Sequence, residues 1–188
     1  SIPCHVNKFL ITNLLKEELG YTGLTISDWG DMQFLNEFHK TADTHKEAVR
    51  QMLNAGLDMC MVPYNASFAH YVIELVNEGE VPISRIDDAV RRILRVKFEL
   101  GLFETPNTNY KDYPNFGSKE FAQESYRAAS EGITLLKNNN ILPLRKGKKV
   151  MITGVAGNSL NYLNGPWTRS WSGQDTLYND NEKLTIFE

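Results

Sequence analysis

Apolar residues recur at helical spacing near the start of the sequence. Phe9, Leu10, Leu14 and Leu15 predict a helix from about Asn7 to Leu19, closed by Gly20. After the turn Tyr21-Thr22-Gly23, the short β-rich run Leu24-Thr25-Ile26 lies between a glycine and polar residues, the pattern of a buried strand ending at Ser27-Asp28. Thr44 and Glu47 have capping-box spacing, and Ala48, Met52 and Leu53 give the helix behind them an apolar face that stops at Gly56. A second strand is expected over Leu57 to Val62. Phe68, Tyr71, Val72 and Leu75 mark a helix ending at Gly79, and Ser84 with Asp87 is expected to cap a long one that runs through Leu100 to Gly101.

Strands that alternate with helices at this spacing are parallel, because a parallel pair needs a helical crossover to return the chain. The expected fold class is therefore α/β, as an open sheet or a barrel. From Glu104 to Ser118 the periodicity gives way to Thr, Pro, Asn, Tyr, Lys and Asp, the composition of a linker. That places a first unit at 1–103, a linker at 104–118 and a second unit at 119–188. The second unit is expected to hold a helix from about Lys119 to Glu131, strands at Ile133 to Leu136 and Lys149 to Thr153, and the loop Gly154-Val155-Ala156-Gly157-Asn158. Two strands and one helix do not close a core, so this reads as the opening of a larger α/β layer.

Composition narrows the function classes. With 41% hydrophobic and 11% aromatic residues the chain is neither disordered nor fibrous. A net charge of −3 with both signs interspersed leaves no basic stripe, which argues against nucleic acid as a partner. No apolar run approaches the roughly 18 residues of a membrane span. Cys4 and Cys60 are too few for a disulfide scaffold, and His5, His39, His45 and His70 share no metal-ligand spacing, so neither a metal nor another cofactor is expected. The sequence starts at Ser1 and stops at Leu184-Thr185-Ile186-Phe187-Glu188, which reads as an element opening. A piece of a longer chain is therefore expected.

In open α/β sheets and in barrels, functional groups gather at the carboxyl ends of strands, and Asp28 lies at such an end. A carboxylate can attack an anomeric carbon, and the indole of Trp29 can pack on the apolar face of a pyranose. A turn or helix-capping aspartate is the plain alternative, and position alone leaves both open. Asp58, in Leu57-Asp58-Met59-Cys60-Met61, sits at the start of its strand and is read as structural, on the rim opposite Asp28. Gly154 and Gly157 lack the full dinucleotide-binding glycine pattern, and Asn65-Ala66-Ser67 fits a glycosylation acceptor. Trp167 and Trp171, in Gly165-Pro166-Trp167-Thr168-Arg169-Ser170-Trp171-Ser172-Gly173, read either as a binding lip or as a hydrophobic plug between domains.

Several stretches agree in order and spacing with one known family. They are Pro3-Cys4-His5-Val6-Asn7-Lys8, Gly23 to Gly30 with Ser27-Asp28-Trp29, Ala55-Gly56-Leu57-Asp58-Met59, Arg85-Ile86-Asp87-Asp88-Ala89-Val90-Arg91-Arg92-Ile93-Leu94, Gly101-Leu102-Phe103, Ile133-Thr134-Leu135-Leu136-Lys137-Asn138, Ile141-Leu142-Pro143-Leu144 and Gly165-Pro166-Trp167-Thr168. Over nearly its whole length the chain resembles glycoside hydrolase family 3, of the two-domain β-glucosidase type. The resemblance implies that 1–103 is the C-terminal part of a (β/α)8 TIM-like barrel and that 119–188 opens an α/β sandwich. It implies Asp28 as catalytic nucleophile, and Trp29 and Trp167 as substrate-binding residues, with Pro166 where the family often has glycine. It further implies an oligosaccharide or β-glucoside substrate, an acid/base from a missing C-terminal segment, sugar-holding residues from a missing N-terminal one, and a periplasmic or secreted setting. The fragment alone is expected to be inactive. Alternatives are an N-acetylhexosaminidase-type member of the family, a non-catalytic carbohydrate-binding relative, and a phospho-acceptor Asp28 in a receiver-like domain.

Overall fold

Helices dominate this chain, and two of the four segments expected as strands meet edge to edge in its first unit. The computed structural model describes residues 2–63, 66–168, 171 and 183–188. The chain divides into two units, Ser1–Phe116 and Gly117–Glu188.

In the first unit a 3-10 turn, Cys4–Val6, leads to the helix Phe9–Glu18. This helix is π-helical rather than the α-helix that the spacing predicts: the N–H of Leu19 reaches back five residues to the carbonyl of Leu14, at 2.9 Å. The wider turn shifts the inward face. Ile11 is buried, whereas Phe9, part of the apolar pattern, is exposed. Thr12 and Lys16, one turn apart, instead tie the helix to the rest of the unit. Thr12 Oγ1 donates to the carbonyl of Ala55 at 2.8 Å, and Lys16 Nζ donates to that of Gly56 at 2.6 Å.

The core is built on three short helices: α1 (Asp31–Glu37), α2 (His45–Ala55) and α3 (Ser67–Asn77). α1 is absent from the sequence expectation, yet its Met32 and Leu35 are fully buried. In α2, Ala48, Val49 and Met52 are fully buried and pack with Leu57, Leu75 and Val81. Thr44 caps α2 as expected, its hydroxyl accepting the Glu47 N–H at 3.1 Å. The reciprocal half of the capping box is not made, because the Glu47 carboxylate is taken by Arg50 at 2.6 and 2.7 Å and by Gln51 at 2.9 Å. The long helix α4 (Ile83–Glu99) starts before Ser84. Pro82, which has no N–H to lose, holds the N-cap position, and Ser84 lies in the first turn.

Leu24 to Ser27 and Leu57 to Met61 lie side by side and parallel. The Ser27 N–H donates to the carbonyl of Met59, and the N–H groups of Asp58 and Met59 donate to that of Thr25, each at 3.1 Å. Ile26 and Met59 form the bridge pair. The parallel adjacency agrees with the sequence expectation, whereas the regular strands do not form. Among the described residues this single bridge is the only β pairing. The expected burial fails as well, since Ile26 and Met59 are 46% and 43% exposed. Among the described residues each segment pairs only with the other, and a strand bonded on one side lacks the ladder that helps bury its side chains.

The second unit holds α5 (Lys119–Gly132), capped by Ser118, whose hydroxyl accepts the Phe121 N–H at 3.2 Å. The strands expected at Ile133 to Leu136 and Lys149 to Thr153 do not form, and Leu136 and Met151 are 92% and 87% exposed. A 3-10 turn, Val155–Asn158, and the one-turn helix α6 (Leu160–Leu163) follow. The Phe187 N–H donates to the carbonyl of buried Gly157 at 3.0 Å. Among the described residues no helix is long and apolar enough to cross a membrane.

Candidate active site

Asp28 stands where the extended segment Leu24 to Ser27 gives way to α1, and its peptide unit is held at both ends. Its N–H donates to Asp31 Oδ2 at 2.8 Å, and its carbonyl accepts the hydroxyl of Ser27 at 2.8 Å. That hydroxyl oxygen accepts the Met61 N–H at 3.0 Å, so buried Ser27 links the neighbouring segment to the Asp28 peptide. The Asp28 side chain accepts the Trp29 N–H on Oδ1 at 2.7 Å. Gly30 then turns the chain into α1 at φ +80°, a left-handed conformation that favours glycine, and its N–H donates to the carbonyl of Met61 at 3.1 Å. Asp28 is exposed and Trp29 is 55% exposed, so a carboxylate on a fixed backbone and an indole face solvent from consecutive positions.

Near them lies His5, which the sequence offered only as a histidine without metal-ligand spacing. His5 Nδ1 is 3.4 Å from Asp31 Oδ2, and both side chains are 14% exposed. Burial lowers the pKa of His5, the nearby Asp31 charge partly offsets this, and His39, whose ring centroid is 6.1 Å away, lowers it further. His5 Nε2 is buried without a hydrogen-bond partner among the described residues. Cys60, 3.7 Å from the Ser27 hydroxyl, has its thiol pKa raised by burial, which keeps it protonated and unreactive.

Asp58 is engaged at the other end of the paired segments. Lys16 Nζ lies 2.8 Å from both of its oxygens, and Oδ2 also accepts the N–H of Thr25 at 2.8 Å and the Thr25 hydroxyl at 2.9 Å. Arg85 donates to Oδ1. Four donors on a fully buried carboxylate make it a structural anchor, as its place at the start of the segment implied. The anchor extends along α4. Asp88 binds both Arg85 and Arg92, and Arg92 donates to the carbonyls of Tyr21 and Gly23 at 3.1 and 3.0 Å. α4 therefore clamps the turn that launches the Asp28 segment. The 85, 88, 92 spacing, three and four residues apart, was the available signal for one charged helix face.

Trp167 belongs to the second unit. Its φ is +66°, its N–H donates to the carbonyl of Trp171 at 3.1 Å, and the two indoles meet edge to face with centroids 4.6 Å apart. Both are exposed, at 79% and 71%. Asn65 of the glycosylation triplet, and Arg169, Ser170, Ser172 and Gly173 of the tryptophan loop, lie outside the described residues. Among the described residues no group of three or more His, Cys, Asp or Glu side chains could hold a metal ion.

Comparison with known proteins places this geometry in a family. Over 186 residues the chain is 41% identical to the lysosomal β-glucosidase of Dictyostelium discoideum, covering 96% of this chain and 22% of that protein. It is 32% identical to the periplasmic β-glucosidase of Salmonella typhimurium, covering 88% of this chain and 22% of the relative. Among solved structures it is similar to an exo-1,3/1,4-β-glucanase from a Pseudoalteromonas species, with a TM-score of 0.75 at 32% identity over 97% of this chain and 23% of that one. It is also similar to a β-glucosidase from Listeria innocua in complex with glucose, with a TM-score of 0.69 at 31% identity, covering 92% and 23% of the two chains. The chain thus spans less than a quarter of the length of each of these proteins. Residues 1–96 match the glycosyl hydrolase family 3 N-terminal domain, a domain of TIM-barrel type, and the chain belongs to that family.

Proposed function

We propose that this chain supplies the nucleophile half of a retaining β-glycosidase, with Asp28 as the attacking carboxylate. The observation that carries the reading is the solvent-facing Asp28 side chain, fixed by its backbone bonds and adjacent to exposed Trp29, in a chain whose relatives include β-glucosidases and β-xylosidases. A carboxylate oxygen of Asp28 forms a bond to the anomeric carbon while the bond to the leaving oxygen breaks, and a carboxylic acid protonates that oxygen. Water then attacks the anomeric carbon, gives up its proton to the same acid/base, and frees Asp28 with net retention. The partner acid belongs about 5 Å from the nucleophile. In this reading it comes from a segment outside these residues, as do the groups that hold the terminal sugar.

Residues 1–103 are then the C-terminal part of the barrel, 104–118 the linker and 119–188 the start of the sandwich. Trp29 and Trp167 are, in this reading, the residues whose indoles pack on sugar. The substrate class is a terminal β-linked glucose or its pentose analogue xylose. Asp58, fully engaged by Lys16, Thr25 and Arg85, takes no part in the chemistry. The 188 residues alone do not turn over glycosides. Proton NMR of the first sugar released from an aryl β-glucoside by the full-length enzyme tests the mechanism: β-anomer first supports double displacement, and α-anomer first overturns it.

A further inference from the structure

We infer that Asp31, held by His5, is the positioning residue that sets the aim of Asp28, an inference that rests on the nucleophile reading above. Asp31 opens α1, yet the oxygen Oδ2 points back along the chain and accepts the Asp28 N–H at 2.8 Å. A carboxylate acceptor on a backbone N–H makes a charge-assisted bond, shorter and stronger than a neutral one. The same Oδ2 lies 3.4 Å from His5 Nδ1, and both side chains are 14% exposed, so the oxygen that accepts the Asp28 N–H is also held by the imidazole. Ser27 holds the Asp28 carbonyl, and the Trp29 N–H holds Oδ1 of its side chain. Among the described residues Asp31 is therefore the side chain that fixes the N–H of Asp28. Without it, rotation between Ser27 and Asp28 swings the carboxylate away from the line of attack.

The competing role for Asp31 is purely structural, a negative charge stabilising the first turn of α1. The two roles respond differently to Asp31→Asn. The amide oxygen still accepts the Asp28 N–H, whereas the charge is gone. The probe is 2-deoxy-2-fluoro-β-glucosyl fluoride on the full-length enzyme, with the covalent labelling rate read separately from the half-saturating concentration, and the melting temperature measured alongside. Asp31→Ala is expected to slow labelling by about tenfold to a hundredfold, the cost of a misplacement on the order of 1 Å. Half-saturation changes little, and Asp31→Asn labels close to the parent rate. Parent-rate labelling by Asp31→Ala, or an equal fall in both variants, overturns the inference.

Should Asp31→Ala fail to fold, His5 decides. His5→Ala is expected to slow labelling several-fold, and His5→Asn, which restores a donor where Nδ1 stood, to recover most of the rate. No difference between His5→Ala and the parent overturns the role of this pair. Absence of label on Asp28 in the unaltered enzyme is a separate outcome that removes the nucleophile reading itself, and the inference with it.

Discussion

Lys16 Nζ lies 2.8 Å from both carboxylate oxygens of Asp58, in a pair whose side chains are 6% and 0% exposed. Such a pair offers little or no net stabilisation over apolar packing, but removing one partner strands the other charge. Asp58→Ala leaves both Lys16 and Arg85 without their acceptor and is expected to destabilise the protein by about 3–5 kcal/mol. Urea unfolding of parent and variant measures this, and a loss below about 1 kcal/mol, the scale of an exposed pair, contradicts it.

Ser27 predicts a smaller and more local loss. Replacing its buried hydroxyl in Ser27→Ala removes the acceptor for the Met61 N–H and the donor to the Asp28 carbonyl. The Met61 N–H is left unpaired, whereas the Asp28 carbonyl keeps the Asp31 N–H at 3.4 Å, and an unpaired buried donor costs about 1–3 kcal/mol. Stability and labelling rate are expected to fall together, in contrast to Asp31→Ala, in which labelling falls more.

Gly56 joins α2 to the paired segment at φ +104°, and a Cβ placed there would come within 2.3 Å of Thr12 Oγ1. Gly56→Ala therefore combines backbone strain with a clash against the π-helix and is expected to cost more than about 1 kcal/mol. In the double variant Thr12→Ala relieves the clash with Oγ1 but also removes the hydrogen bond to the Ala55 carbonyl, so it is read against Thr12→Ala by itself. Thermal melting of the single and double variants is expected to show partial recovery, and full recovery would mean the backbone is not strained.

The α4 clamp predicts a pH dependence. Burial acts to raise the pKa of Asp88, but hydrogen bonds and charge from Arg85 and Arg92 outweigh it, and the group titrates below its ordinary 3.8. For a carboxylate lowered in the folded state, the stabilisation is fully present above the ordinary value and is lost as pH falls from there through the folded value. Asp88→Asn is expected to flatten that part of the acid-side melting profile and to leave the neutral-pH slope unchanged. An identical acid limb in the variant contradicts the clamp.

The helices were legible where the sequence carries local signals. Thr44 and Gly56 delimit α2, because a cap is a contact between near neighbours, and α5 begins at the expected Lys119. α1 escaped because its seven residues follow Gly30 with no capping side chain. The pitch of Phe9–Glu18 escaped because apolar spacing does not distinguish an α-turn from a π-turn when the anchors, Thr12 and Lys16, bond to residues some 40 positions away. The Asp58 donors are equally remote, from Lys16 on one side and Arg85 on the other. The site was legible in part. Asp28 at a segment end is a local observation, and its assignment as nucleophile came from the family resemblance. The restraint by His5 and Asp31 depends on a fold that brings residue 5 beside residue 31.

As the nucleophile of a double displacement, Asp28 becomes covalently attached to the sugar. Incubating the full-length enzyme with 2-deoxy-2-fluoro-β-glucosyl fluoride, then digesting and sequencing by mass spectrometry, reads this directly. One added fluorosugar is expected on the peptide containing Ser27-Asp28-Trp29, with the mass on Asp28. A label on another carboxylate, with Asp28 unmodified and turnover blocked, would contradict it.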